Sequence, residues 1–276
     1  MKNILNVDSK FKKKIKKHSN SALVEFCQNR PLLVVSNREP FKIKKTNDGY
    51  ILGKTIGGVV SALNPILRKV NGTWITWSEQ LKIDKNDMHE TINTVTSYPQ
   101  IGVPLSKDEI KHYYQGFSNS QLWPLFHSFL EKFYPDSKNW DFYKEVNQNF
   151  AHKIKKTIGS KNLIWIHDYH FFLVPSFLRA LNVKNKIGFS LHIPFPTVES
   201  FMLLSQHRNI LKGILGADLI GFQTLPDLNR FLDCVIQILG NDVQIEKNTI
   251  RSGNHRCTVM TSPVGIDFHQ FNRPSN

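Results

Sequence analysis

The fold is decided by one stretch, Asn162-Leu163-Ile164-Trp165-Ile166-His167-Asp168-Tyr169-His170, in which an apolar run ends abruptly in polar and aromatic residues. Short apolar runs rich in β-branched residues are typical of buried parallel strands. The pattern therefore predicts a strand over residues 162–167. Because ligands of parallel α/β sheets bind beyond the carboxyl ends of the strands, it also predicts a functional site directly after that strand.

Segments of the same kind recur on both sides of this stretch. Further strands are predicted at residues 31–36, 73–77, 101–104, 186–192, 217–222 and 256–263. Apolar residues at helical spacing predict helices at residues 59–70, 107–114, 120–133, 140–156, 169–180, 199–215 and 225–239. Residues 39–54 are interpreted as a polar connection with a turn at Asn47-Asp48-Gly49. The alternation predicts an α/β fold, a Rossmann-like domain with a mostly parallel sheet.

Composition limits the class of protein. A chain of 276 residues with 40% hydrophobic residues is long enough to bury the core of one large domain. No apolar run reaches the length of a membrane span, and the basic first residues lack the features of a secretory signal. Cys27, Cys234 and Cys257 are far apart and have no metal-site spacing. We therefore expect a cytoplasmic protein with reduced thiols and no membrane partner.

The formal net charge of +14 is large, and much of it lies in Lys10–Lys17 within a basic leader at residues 1–30. Such a run can contact nucleic acid, but it lacks the repeated aromatic residues that stack on bases. A solvated basic segment explains the leader, and an anionic small-molecule substrate fits the sign of the charge equally well. We expect no nucleic-acid partner.

Polar residues follow several of the predicted strands and are candidates for ligand binding. Arg38 can hold a phosphate through two parallel hydrogen bonds, although a surface salt bridge is an alternative. Gly57 and Gly58 open a helix, where free N–H groups favour an anion, but glycines are also common in ordinary turns. Asp168 can accept hydrogen bonds from sugar hydroxyl groups.

The remaining candidates are one histidine and three aromatic residues. His192 lies in a loop stiffened by two prolines, so its imidazole direction is restricted, although a structural histidine is an alternative. Trp77, Tyr114 and Trp123 stand beside polar residues and can stack on sugar faces, but aromatic residues more often belong to the core. No third ligand near His167 and Asp168 supports a metal, so no metal and no cofactor are expected.

Eight segments in order carry a more specific signal than any single residue. The first four are Val34-Val35-Ser36-Asn37-Arg38; Gly57-Gly58-Val59-Val60-Ser61-Ala62-Leu63; Tyr113-Tyr114…Phe117-Ser118-Asn119…Leu122-Trp123-Pro124…Phe126-His127; and Trp140…Tyr143…Val146-Asn147…Phe150-Ala151. The last four are Ile164-Trp165-Ile166-His167-Asp168-Tyr169-His170; Ile187-Gly188-Phe189…Leu191-His192-Ile193-Pro194-Phe195-Pro196; Leu219-Ile220-Gly221-Phe222-Gln223-Thr224; and Pro263-Val264-Gly265-Ile266-Asp267. Over residues 31–271 the chain resembles the trehalose-6-phosphate synthase family, glycosyltransferase family 20.

The resemblance implies the N-terminal half of a GT-B enzyme, in which two Rossmann-like domains face each other. It implies transfer of glucose, with retention, from UDP-glucose to glucose 6-phosphate, giving trehalose 6-phosphate. The family's pattern assigns a role to each candidate. Arg38 and Tyr114 would bind the acceptor phosphate; Trp77, Trp123 and Asp168 the acceptor sugar; Gly57 and Gly58 the donor diphosphate; and His192 the donor glucose. His192 and Asp168 would be the catalytic residues, acting by positioning and charge stabilisation.

Two features leave alternatives open. Glu39-Pro40-Phe41 and His127-Ser128-Phe129 are similar to the related glucosylglycerol-phosphate synthases, which use glycerol 3-phosphate. Ser36-Asn37 and Gly57-Gly58 favour the trehalose branch. The family's second, nucleotide-sugar-binding domain is expected to lie outside these residues, either in the same protein or in a separate C-terminal-domain polypeptide. Residues 31–271 alone would then be an acceptor-binding domain, either an enzyme half-site or a catalytically silent sugar-phosphate-binding fragment.

Overall fold

The computed structural model describes residue 22 and residues 24–46, 49–54, 57–77 and 98–265. Its strands are β1 (Leu32–Val35), β2 (Phe41–Thr46), β3 (Gly49–Lys54), β4 (Thr73–Trp77), β5 (Gln100–Val103), β6 (Leu163–His167), β7 (Ile187–Ser190), β8 (Leu219–Phe222), β9 (Gln244–Glu246), β10 (Thr249–Ser252) and β11 (His255–Thr261). The predicted basic run of the leader and the turn residues 47–48 lie outside the described residues.

The helices alternate with the strands. They are α1 (Gly58–Val70), α2 (the consecutive segments Lys107–Glu109, Ile110–Leu122 and Trp123–Phe126), α3 (Ser137–Thr157), α4 (Val174–Ala180), α5 (Val198–Met202), α6 (His207–Ile214) and α7 (Leu225–Cys234, continued by Val235–Leu239). Residues 24–28 form a further short helical segment. No helix within the described ranges combines the length and the apolar character needed to cross a membrane.

The described strands other than β2 and β3 form one sheet with the order β5-β4-β1-β6-β7-β8-β11-β10-β9. Each neighbouring pair from β5 to β11 is parallel, whereas β10 is antiparallel to both of its neighbours. The predicted α/β class with a mostly parallel sheet is confirmed. The chain runs from β1 to β4 on one side and later returns to β6 on the other, so the strand order reverses beside β1. Such a switch point opens a crevice in which ligands bind.

Both faces of β1 are buried, as expected for a parallel sheet covered by helices on each side. Leu33 and Val35 of β1 belong to the large cluster that α2, α3, α4, α6 and α7 cover. Leu32 and Val34 belong to a smaller cluster with residues of α1 and with Cys27. Cys27 lies in the short helix at residues 24–28, so this end of the predicted leader packs onto the domain.

Several predicted elements differ from the observed ones. Residues 39–54, predicted as a polar connection, form the antiparallel hairpin β2–β3. The helix predicted at residues 169–180 begins only at Val174, after a single 3₁₀ turn at Tyr169–Phe171. The predicted helices at residues 107–114 and 120–133 are one continuous helical stretch to Phe126, whose Ile110–Leu122 part has wide turns that bond five residues back. The short strands β9 and β10 were not predicted.

Candidate functional site

A cavity of about 490 Å³ opens at the carboxyl ends of β1 and β6, at the switch point of the sheet. Six of the predicted site residues line it: Arg38, Gly57, Gly58, Tyr114, Trp123 and Asp168. They come from the ends of two neighbouring strands, from the start of α1 and from α2. Residues separated by more than a hundred positions in the sequence therefore meet where the topology predicts a ligand.

One wall of the cavity is suited to an anion. α1 begins at Gly58, and its first turn contains no acidic residue and no side-chain cap. Its free N–H groups and its dipole therefore favour a negative charge at this end. Arg38 is close by, since a Cβ atom added to Gly57 would lie 3.9 Å from the Nη1 atom of Arg38. A guanidinium group and a helix amino terminus thus lie together at this wall.

The cavity lining also includes Asp168. Its backbone has a φ of 75°, a conformation that costs a residue other than glycine about 1–3 kcal/mol. The backbone N–H of Asp168 donates to the carbonyl of Ser190 (2.8 Å), and its carboxylate accepts from the N–H of His192 (3.4 Å). Burial raises the pKa of Asp168 to about 6, against the opposing effects of backbone N–H groups and of Arg38. At neutral pH the carboxylate is therefore mainly ionised and can accept hydrogen bonds.

Two buried side chains of α3 hold the segment that follows Asp168. The hydroxyl group of Tyr143 donates to the carbonyl of Tyr169 (2.7 Å) and accepts from the N–H of Phe172 (3.0 Å). The amide of Asn147 donates to the carbonyl of His170 (3.0 Å) and accepts from the N–H of Leu173 (3.2 Å). These contacts satisfy backbone groups that a regular helix would have paired internally, which explains why α4 begins only at Val174.

His192, predicted to contact the donor glucose, is not among the residues that line the cavity, and its ring contacts two other side chains. The side-chain oxygen of Gln223 accepts from the N–H of Val264 (2.9 Å), so its Nε2 faces Nδ1 of His192 (3.3 Å). His192 then carries its proton on Nε2 and donates to Nδ1 of His167 (2.9 Å). Burial lowers the pKa of His192 to about 4 and holds that of His167 well below its usual range. Both imidazoles are therefore neutral at pH 7.

Two of the three predicted aromatic residues line the cavity, and the third packs against one of them. Tyr114 lines the cavity, and Trp77 packs against it with ring centroids 5.3 Å apart. Trp77 is thus placed beside the site and supports Tyr114. Trp123 lines the cavity with 36% of its surface exposed and stacks on His127 at 4.2 Å. A half-exposed tryptophan at a cavity mouth offers an apolar face to a sugar ring.

Nine lining residues were not among the predicted site residues. They are Ser36, Asn37, Val59, Val60, Asn119, His167, Tyr169, His170 and Ile193. Asn37 and the pair Tyr169 and His170 directly adjoin predicted residues, so their proximity in sequence was a usable signal. Asn119 gave no such signal because it lies in the interior of a helix. Gln223, which sets the proton position on His192, follows β8 and could have been found by its place at a strand end.

Within the described ranges, no group of three or more His, Cys, Asp or Glu side chains is placed to hold a metal ion. Cys27, Cys234 and Cys257 are buried free thiols. Burial raises the pKa of Cys234 and Cys257 to about 12, so both remain protonated.

The fold and the site define an α/β domain with a polar-lined cavity at the carboxyl ends of a parallel sheet. Comparison with known proteins identifies the family. The model of glycosyltransferase family 20 matches residues 30–276. The bifunctional trehalose-6-phosphate synthase/phosphatase of Thermoproteus tenax is 37% identical over 252 residues, which are 87% of this chain and 33% of that protein. The chain therefore belongs to glycosyltransferase family 20.

Solved structures agree with this assignment. An E. coli structure described as trehalose-6-phosphate bound with UDP-2-fluoro glucose is 30% identical, with a TM-score of 0.71 over 87% of this chain and 50% of that one. An α,α-trehalose-phosphate synthase (UDP-forming) from Burkholderia xenovorans, in complex with glucose-6-phosphate, is 28% identical, with a TM-score of 0.68 over 85% of this chain and 49% of that one. The chain spans between a third and a half of the length of the relatives it matches. The matched part is the N-terminal half of a GT-B glycosyltransferase, as predicted.

Proposed function

We propose that this chain is the acceptor-binding part of a retaining glucosyltransferase that transfers glucose from UDP-glucose to glucose 6-phosphate and forms trehalose 6-phosphate. The observation that carries the proposal is that Arg38, the start of α1 and the partly buried carboxylate of Asp168 line one cavity of about 490 Å³. A sugar phosphate needs such groups, since its phosphate requires cations and N–H donors and its hydroxyl groups require acceptors. The family and its solved members support the same reading.

The phosphate of the acceptor would lie against Arg38 and the phenol of Tyr114. Arg38 is exposed at the cavity edge and therefore does not lose its hydration until a ligand arrives. A charge-assisted hydrogen bond of this kind contributes about 1.5–3 kcal/mol. The hydroxyl groups of the sugar would donate to Asp168, and its apolar face would pack on Trp123.

The donor would approach from the side of Gly57 and Gly58. A Cβ atom added to Gly58 would meet nothing within 4 Å, so the start of α1 is open to a diphosphate group. In the reaction, the acceptor hydroxyl oxygen forms a bond to C1 of glucose while the bond from C1 to the diphosphate oxygen breaks. The acceptor proton passes to the departing diphosphate. The chain's residues would contribute orientation, with His192 on the donor side and Asp168 on the acceptor side. The proposal places the reaction in the cytoplasm, in keeping with three unpaired thiols.

The test is a product assay with the chain joined to the nucleotide-sugar-binding half of a family member. UDP-glucose is supplied with either glucose 6-phosphate or glycerol 3-phosphate, and the product is identified by mass spectrometry. Trehalose 6-phosphate is the expected product. Glucosylglycerol phosphate would instead move the chain to the sister branch that His127-Ser128-Phe129 resembles. Loss of all transfer, while glucose 6-phosphate still binds, would leave a sugar-phosphate-binding domain without catalysis.

A further inference from the structure

Two tyrosine–asparagine pairs converge on the cavity, with residues from α2, from the end of β1 and from the turn after β6. The hydroxyl group of Tyr113 donates to Oδ1 of Asn37 (2.8 Å), and that of Tyr169 donates to Oδ1 of Asn119 (3.0 Å). Asn37 follows β1 and Asn119 lies in α2, and both line the cavity. Tyr113 is fully buried beneath it. The same arrangement therefore occurs twice at one cavity.

Each bond fixes the direction of a carboxamide. An asparagine side chain has one acceptor oxygen and an NH₂ group with two donors. A tyrosine hydroxyl group donates to each Oδ1, which fixes the orientation of the carboxamide and directs its Nδ2–H groups away from that hydroxyl group. Burial raises the pKa of both phenols well above its usual value, with the Asp168 charge adding to the effect at Tyr169. Both hydroxyls therefore stay protonated and act as donors throughout the neutral range.

The position of the amides suits an oxygen-rich ligand. Asn37 directly precedes Arg38, and Asn119 lies on α2 between Tyr114 and Trp123. The cavity otherwise offers one carboxylate, Asp168, which only accepts hydrogen bonds when ionised. A sugar phosphate has many oxygen atoms that need donors. Two neutral donors of fixed direction add selectivity without adding charge.

We propose that Asn37 and Asn119 bind oxygen atoms of the acceptor sugar phosphate through their Nδ2–H groups, and that Tyr113 and Tyr169 are positioning residues that fix the direction of these amides. This inference rests on the proposed function, since it assigns further contacts to the same acceptor. It predicts that removing a tyrosine hydroxyl weakens binding even though the hydroxyl itself donates to an asparagine and not to the ligand.

The chain contains a matched control for this effect. The hydroxyl group of Tyr98 donates to Oδ1 of Asn64 (2.9 Å), a pair of the same chemistry that lies outside the lining of the described cavity. Calorimetry with glucose 6-phosphate would compare Tyr113→Phe, Tyr169→Phe and Tyr98→Phe. Loss of one oriented hydrogen bond lowers affinity by about 5-fold, so each site variant should lose at least that much and Tyr98→Phe less than about 2-fold. Equal affinities for all three variants would overturn the inference.

A spectroscopic readout separates ligand contact from a merely structural role. In ¹H–¹⁵N correlation spectra, the side-chain NH₂ signals of Asn37 and Asn119 should shift on titration with glucose 6-phosphate, while those of Asn64 stay in place. If the backbone signal of Arg38 shifts but the two amides do not, the inference fails and the proposed acceptor site stands. If no signal near the cavity responds to glucose 6-phosphate, the proposed function fails together with it.

Discussion

The hydrogen bonds between Asn147 of α3 and the segment after Asp168 offer the sharpest test of how the fold holds the site. Asn147 is completely buried and bonds both the carbonyl of His170 and the N–H of Leu173. The substitution Asn147→Leu keeps a similar volume but leaves these two backbone groups without their partner. A buried polar group left unsatisfied costs about 1–3 kcal/mol. For the two groups together, the free energy of unfolding should therefore fall by about 2–6 kcal/mol.

Urea unfolding followed by tryptophan fluorescence measures this loss as a shift of the midpoint at constant slope. Asn149→Leu is the matched control, because Asn149 lies two residues further on the same helix and is exposed. It carries the same change in helix propensity and should alter stability by less than about 0.5 kcal/mol. If the two variants unfold at the same urea concentration, the segment after Asp168 is not held by Asn147 and the structural reasoning is wrong.

Three further predictions concern catalysis and pH. In the chain joined to a nucleotide-sugar-binding half, His192→Ala should lower kcat with little change in acceptor KM. Asp168→Asn should mainly raise acceptor KM. If both variants keep the wild-type kcat/KM, neither residue belongs to the site. The chain without that half should unfold cooperatively. It should release nucleotide diphosphate at least about 100-fold more slowly than the joined protein, because charge-stabilising groups of the donor site would be missing. Equal rates for the chain and the joined protein would contradict this prediction. Burial lowers the pKa of His170 to about 3 and that of His192 to about 4. Their contribution to the free energy of unfolding is therefore complete above about pH 6.5 and is lost as the pH falls towards these values. Asp168 partly offsets the loss, because its pKa is raised to about 6 and its contribution grows as the pH falls through that value. Unfolding at pH 4–7 should show less acid sensitivity in His170→Gln than in His152→Gln, a change at an exposed position.

The central strands and the location of the site could be predicted because local patterns determine them. The run Leu163–His167 is apolar and ends in polar residues, and β1 and β7 follow the same rule. Parallel pairing then brings the polar ends of neighbouring strands together whatever the details of the helices. Arg38 and Asp168 are accordingly found at the same cavity.

The elements that sequence patterns missed depend on contacts between distant residues. The gap between the predicted helices at residues 107–114 and 120–133 is helical in the structure. A Cβ atom on Gly116 would lie 2.6 Å from the side chain of Asn139, so the glycine permits close packing of α2 on α3. The late start of α4 depends on Tyr143 and Asn147. In β2, Phe41 and Ile43 alternate with lysines, as in a strand, but the three lysines made the segment look like a polar connection. Asn119 and Gln223 acquire their roles only from partners far away in sequence.

The proposed function requires above all that the cavity at the switch point holds a sugar phosphate through Arg38. Titration calorimetry of the chain with glucose 6-phosphate and with glucose, in the wild type and in Arg38→Ala, tests it directly. Loss of a charge-assisted contact worth about 1.5–3 kcal/mol corresponds to about 10- to 150-fold in affinity. We predict that wild type binds glucose 6-phosphate tighter than glucose by at least about 10-fold, and that Arg38→Ala abolishes the difference. Equal affinity of wild type for the two sugars would contradict the claim.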